Sequence, residues 1–76
     1  MTDADIERAF TYHAPIKDQP ERYVKLRETA KGLALLIQKS CPESREKSIS
    51  LTYLQQSIQM ANASIAIHET EEAGQP

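Results

Sequence analysis

The chain is 76 residues long, 39% hydrophobic, 26% charged and 5% aromatic, with a formal net charge of −2 at pH 7. That length allows one domain with a marginal core of its own, and a deep private catalytic pocket is not expected. A single Cys rules out an intrachain disulfide, the acidic balance disfavours a general DNA or RNA partner, and no apolar run reaches the roughly 18 residues of a membrane-spanning helix.

Small domains gain stability from disulfides, a metal or oligomerisation. No CxxC or His/Cys cluster offers a metal site, so oligomerisation is what remains. The first residues, MTDADIERAF, are acidic and lack the apolar stretch of a signal peptide. A lone Cys then fits a reducing cytosol.

The elements are helical in chain order. Thr2 and Asp5 have capping-box spacing, and Ile6 and Phe10 follow at i and i+4, predicting a helix of about two turns. Thr11–Gln19 contains Pro15 and ends just before Pro20, so it reads as an extended connector. Pro20 suits the first position of a helix. From there Tyr23, Leu26, Ala30, Leu33 and Ile37 repeat at helical spacing, and the helix is expected to stop near Ser40. Ser40-Cys41-Pro42-Glu43 reads as a restart, with Ser40 as N-cap and Glu43 closing a capping box. A second long helix is expected from about Pro42 to Thr70, with residues 71–76 frayed. The short break between two long helices predicts an antiparallel hairpin.

The last helix carries two apolar stripes. Leu51, Leu54, Ile58, Ala61, Ile65 and His68 form a heptad-like seam for the hairpin partner. Ile49, Tyr53, Met60, Ala63 and Ile67 lie roughly 135° away. One hairpin partner cannot cover both, and Leu35 and Leu36 broaden the apolar surface of the first long helix as well. Helices apolar over most of their circumference are buried, which here requires other copies of the chain. The competing explanation is scattered exposed apolar residues, common singly.

Charge is unevenly spread. Residues 1–16 balance to −2, residues 17–39 to +3, residues 40–67 to zero and residues 68–76 to −3. The basic segment is a local anion site or a solvated helix face. Catalysis finds little support: there is no nucleophile elbow, P-loop or HExxH spacing. His13 and His68 are far apart in sequence, with no Cys or second His at metal-ligand spacing. Cys41 has no base beside it in sequence and reads as a turn residue. Neither a cofactor nor a metal is called for.

The informative group is Phe10-Thr11-Tyr12-His13 followed by the basic helix. Arg27 and Lys31 share a face at i, i+4, and Arg22 and Lys25 share another at i, i+3. An aromatic ring beside such cations can stack a base while they hold phosphates, which suits a compact nucleotide anion. Tyr12 packing on a neighbouring helix is the structural alternative.

Phe10-Thr11-Tyr12-His13-Ala14-Pro15, Gln19-Pro20-Glu21-Arg22-Tyr23, Ala30-Lys31-Gly32-Leu33-Ala34, Cys41-Pro42-Glu43-Ser44-Arg45-Glu46 and Met60-Ala61-Asn62-Ala63-Ser64-Ile65-Ala66 together resemble the small phage-encoded anti-CBASS helical-hairpin proteins, over about residues 9–69. The resemblance implies an all-α fold, a short N-terminal helix followed by a long antiparallel hairpin, in a single domain over 1–76 assembled as a homohexamer. It implies a sponge rather than an enzyme, acting in the host bacterial cytoplasm with no DNA or membrane partner. Such proteins sequester cyclic oligonucleotide immune messengers, cyclic dinucleotides such as 3′,3′-cGAMP among them, and so keep the CBASS effector inactive. By resemblance Tyr12 is the stacking ring, Arg27 or Lys31 the phosphate cation and Thr29 a polar pocket residue. His13 beside Tyr12, and Lys25 on the basic helix, complete the candidate ligand-binding set. Some members also bind cyclic trinucleotides. Close relatives have Arg after the block ending at Ala66, and Ile67 here puts trinucleotide binding in doubt. The alternative function is a small helical adaptor that binds a host protein through the second apolar stripe.

Overall fold

A computed structural model describes residues 1–69. Three helices form among them: α1 (Asp3–Ala9), α2 (Gln19–Ser40) and α3 (Arg45–His68). The expected frayed tail, and Thr70 as a helix end, lie outside the described residues.

The start of α1 is the predicted capping box. Thr2 Oγ1 accepts from the Asp5 N–H at 3.0 Å, and the Asp5 carboxylate accepts from the Thr2 N–H at 3.0 Å. That backbone hydrogen bond from Thr2 is the main reason the Asp5 carboxyl is held below its ordinary pKa. At the other end the connector folds back onto the orphan carbonyls of the helix. Thr11 Oγ1 donates to Glu7 O, and His13 Nε2 lies 2.8 Å from Arg8 O. A carbonyl only accepts, so Nε2 carries the proton.

The connector turns into α2 at Lys17, whose φ of 52° lies in the left-handed region. Pro20 sits in the first turn of α2 as predicted, while the N-cap residue Asp18 makes no side-chain capping bond. The Asp18 carboxylate lies 3.1 Å from Arg22 Nε instead, an ion-pair contact without hydrogen-bond alignment.

The restart into α3 differs from the expectation. Ser40 is the last residue of α2, and neither it nor Glu43 caps α3. Cys41 precedes Pro42 and is pushed to extended backbone (φ −110°, ψ 140°), which ends α2 there. The N-cap is Ser44, whose Oγ accepts from the Lys47 N–H at 3.1 Å, so α3 begins three residues later than expected. Glu43 pairs with Lys47 Nζ, and the same ammonium donates to Gln38 O at 2.7 Å. Lys47 is only 7% exposed. It closes the turn by satisfying a carbonyl that the end of α2 leaves unpaired.

The open end of the hairpin is closed by a second polar cluster. Gln19, 2% exposed, accepts from the Ile16 N–H at 3.0 Å through Oε1 and donates to Glu69 O at 2.9 Å through Nε2. The Arg22 guanidinium grips the Glu69 carboxylate with both terminal nitrogens. This bidentate pair is why the Glu69 carboxyl lies below, and the Arg22 guanidinium above, their ordinary pKa values. His68 was expected to finish the seam. It is exposed, and Glu69, the C-cap residue, takes that place.

Between the two clusters α2 and α3 pack along the predicted seam. Tyr23, Leu26, Ala30 and Ile37 of α2 and Leu51, Leu54, Ile58, Ala61 and Ile65 of α3 are half-buried, while Leu33 is exposed. Among the described residues no apolar side chain is fully buried. The radius of gyration is 15.7 Å, against roughly 11 Å for a compact chain of this length. A lone hairpin of rods this long has two sides and no interior. The second stripe is partly covered by the chain itself: its Ile67 lines a small cavity of about 210 Å³ together with Met1, Asp5, Arg8, Ala9 and His68. Tyr53 and Met60, further along the stripe, remain 66% and 67% exposed.

Candidate functional site

A groove of about 470 Å³ runs along one flank of the hairpin, between α2 and α3. Its apolar floor includes the seam residues Ala30, Leu51, Leu54 and Ile58, with Ala34 beside them. Tyr23, Arg27 and Lys31 stand on the α2 side, and Gln55, Gln59 and Asn62 on the α3 side. The volume is in the range of small-molecule sites. The chemistry is two cations facing a row of carboxamides across apolar surface.

The cations reach this flank by periodicity. Tyr23, Arg27 and Lys31 recur every four residues, so they climb one side of α2 next to the seam. Arg27 makes a loose 3.7 Å contact to the exposed Glu28 carboxylate. Such surface pairs are worth little and yield readily to a better anion. The carboxamides arise in the same way on α3, where Gln55, Gln59 and Asn62 are at i, i+4 and i+7, one step round from Leu51 and Ile58.

The six sequence-predicted residues divide into three groups. Arg27 and Lys31 come together in the groove. Lys25 and Thr29 do not line it: each is two residues from Arg27, which places it roughly 160° around the helix. Tyr12 is 82% exposed on the connector and His13 is tied to the end of α1; neither lines the groove. Within one chain, therefore, the basic groove and the aromatic arm are separate surfaces. Tyr23, Gln55, Gln59 and Asn62 were not picked out as site residues. Tyr23 was read only as a seam residue. The amide row carried a usable signal, a polar i, i+4, i+7 set flanking an apolar seam, but amides on a helix normally read as solvated surface.

The Acb2/Tad1 hairpin domain family model matches residues 2–66, through all of α1 and α2 and nearly all of α3. The chain belongs to the Acb2/Tad1 hairpin domain family. This is the anti-CBASS family whose resemblance the sequence carries. The fold agrees at the level of that domain: three helices, the last two a hairpin, with no strand among the described residues. No curated protein and no solved structure matched the chain. No helix among the described residues is long and apolar enough to cross a membrane.

Proposed function

We propose that this member of the Acb2/Tad1 hairpin family is an anti-CBASS sponge that binds cyclic dinucleotides such as 3′,3′-cGAMP and holds them intact in the host bacterial cytoplasm, without catalysing a reaction. The observation that carries the reading is the groove, where Arg27 and Lys31 face Gln55, Gln59 and Asn62 over an apolar floor. A cyclic dinucleotide presents what such a groove can hold: two phosphates for the cations, polar base edges for the amides and flat apolar faces for the floor and Tyr23.

The reading includes assembly into a homohexamer. One hairpin leaves its apolar residues partly exposed, and neighbouring copies would bury them. Assembly would also let the exposed Tyr12, with His13 beside it, approach a groove or a Lys25–Thr29 face of another copy. The site would then be shared between protomers, and the ordering cost of building it would be met on assembly. Ile67 packs at the α1 cavity and offers no cation there, in keeping with weak or absent binding of cyclic trinucleotides.

The test is isothermal titration of the purified protein with 3′,3′-cGAMP, repeated with Arg27→Ala and Tyr12→Ala, followed by chromatography of the recovered ligand. The expected result is binding by the native chain, at least tenfold weaker in each variant, with the ligand returned intact. No binding across a panel of cyclic di- and trinucleotides would overturn the reading. The exposed Tyr53–Met60 stripe would then favour the adaptor function.

A further inference from the structure

Of the carbonyls at the end of α1, that of Ile6 accepts from the Phe10 N–H, that of Glu7 from the Thr11 hydroxyl and that of Arg8 from the His13 ring. Thr11 and His13 are the two neighbours of Tyr12. Both are turned onto the helix end, and Tyr12 between them is 82% exposed. The far end of the connector is fastened as well: the Ile16 N–H donates to Oε1 of the buried Gln19 at 3.0 Å. Pro15 stiffens the span between the two fastenings, because its ring fixes φ. The arm is therefore tied at both ends within its own chain, and the ring it presents to solvent is that of Tyr12.

We infer that His13 is a positioning residue: it holds the arm so that Tyr12 is presented in a fixed place, and it does not itself touch the ligand. The inference rests on the nucleotide-binding reading above and deepens it. His13 Nε2 lies 2.8 Å from Arg8 O, so its proton is committed to that carbonyl. In the neutral ring the remaining nitrogen, Nδ1, is an acceptor. A phosphate oxygen is an acceptor too, so the two gain nothing from each other. An exposed ring on an untied arm loses its freedom when a base stacks on it, and that loss is subtracted from the stacking energy. The tie moves the loss to folding, before any base arrives. Of the two ties beside Tyr12, the imidazole is the firmer. Thr11 is exposed and shares its hydroxyl with the Glu7 carboxylate, whereas His13 is half-buried.

The experiment titrates 3′,3′-cGAMP into the full chain and into His13→Ala, His13→Asn, His13→Gln, Tyr12→Ala and the combination of Tyr12→Ala with His13→Ala, with native mass spectrometry of each protein. His13→Ala is expected to bind about three- to tenfold more weakly than the native chain, at unchanged assembled mass. In the Tyr12→Ala background the same change is expected to cost less than about twofold, because a residue that acts through another is coupled to it. His13→Gln carries its amide nitrogen about as far from the backbone as Nε2 and is expected to restore binding; His13→Asn is too short and should behave as His13→Ala does. If His13→Ala costs as much without Tyr12 as with it, the imidazole touches the ligand and the inference falls. If His13→Ala or Tyr12→Ala binds as the native chain does, there is nothing for the tie to position, and the inference falls while the sponge reading stands. It falls too if His13→Gln is as weak as His13→Asn, since the bond to Arg8 O is then not what matters. If His13→Ala changes the assembled mass, the ring is a contact between copies and the inference falls. If the native chain binds neither 3′,3′-cGAMP nor a panel of other cyclic di- and trinucleotides, the nucleotide reading fails and takes the inference with it.

Discussion

Gln19 offers the sharpest test of how the hairpin is held at its open end. Its amide ties the connector to the end of α3: it accepts from the Ile16 N–H at 3.0 Å and donates at 2.9 Å to Glu69 O, 50 residues further along the chain. Gln19→Leu keeps the side-chain volume and removes both of these bonds, together with a longer one from Nε2 to Ile65 O at 3.5 Å. Each neutral hydrogen bond contributes about 0.5–1.5 kcal/mol net, and an amide left buried without a partner costs about 1–3 kcal/mol. Glu69 is only half-buried, so water can replace the donor to its carbonyl. The Ile16 N–H, against a side chain 2% exposed, has less recourse. The expected loss is therefore about 2–3 kcal/mol. Urea unfolding at fixed protomer concentration reads it, because an oligomer's apparent stability moves with concentration. Hydrogen exchange at Ile16 gives the local readout: slow in the native chain, fast in the variant. A loss under about 0.5 kcal/mol, together with fast exchange at Ile16 in the native chain, would refute the argument that this amide closes the hairpin.

The turn and the acid limb make two further predictions. Lys47→Met removes the charge-assisted bond to Gln38 O from a site 7% exposed and is expected to cost about 1.5–3 kcal/mol. Glu43→Gln, in an ion pair whose acid is 86% exposed, should cost less than about 1 kcal/mol; equal urea midpoints for the two variants would contradict this ranking. The Glu69 carboxyl is held below its ordinary value of 4.5, chiefly by Arg22. A depressed folded-state pKa means that its contribution to stability is complete above that value and is lost as pH falls through the lower one. The unfolding midpoint of the native chain should therefore drop below about pH 4.5, and Glu69→Gln should flatten that part of the profile. An unchanged acid limb in Glu69→Gln would show that the pair does not govern it.

Local physics made most of the fold legible. Thr2 and Asp5 announced α1 because a capping box involves only neighbours in sequence, and Pro20 announced α2 because its ring fits the first helical turn. The seam followed from apolar spacing. The start of α3 was misplaced because two serines competed for one role. Ser40 and Ser44 both precede an acid, and the choice between them is made by Pro42, which forces Cys41 extended and ends α2 before any new helix can begin. His68 was misassigned for a related reason: the heptad rhythm pointed to it, but Gln19 and Arg22 seize Glu69 instead, a long-range choice invisible to periodicity. In the candidate site, Arg27 and Lys31 were legible as an i, i+4 pair. Lys25 was grouped with them as a cation of the same helix and Thr29 by resemblance, and in one chain the helix turns both to the opposite side.

The absence of a fully buried apolar side chain among the described residues and the presence of the groove have a common origin. Where the groove opens, α2 contributes Ala30 and Ala34, and the facing α3 residues are Leu51, Leu54 and Ile58. Two small side chains opposite three large ones leave the flank of the seam uncovered. A larger pair on α2 would fill that space, bury more apolar surface and stabilise the isolated hairpin by about 0.8 kcal/mol for each buried methylene. It would also erase the wall against which Arg27, Lys31 and the amide row converge. The seam therefore serves two demands that conflict, packing and concavity, and Ala30 and Ala34 settle the conflict in favour of concavity. The stability forgone there has to come from elsewhere. The polar closures at Gln19 and Lys47 supply part of it within the chain. In the proposed hexamer the exposed apolar faces of α2 and α3 would supply the rest, so that assembly and ligand capture would depend on the same seam.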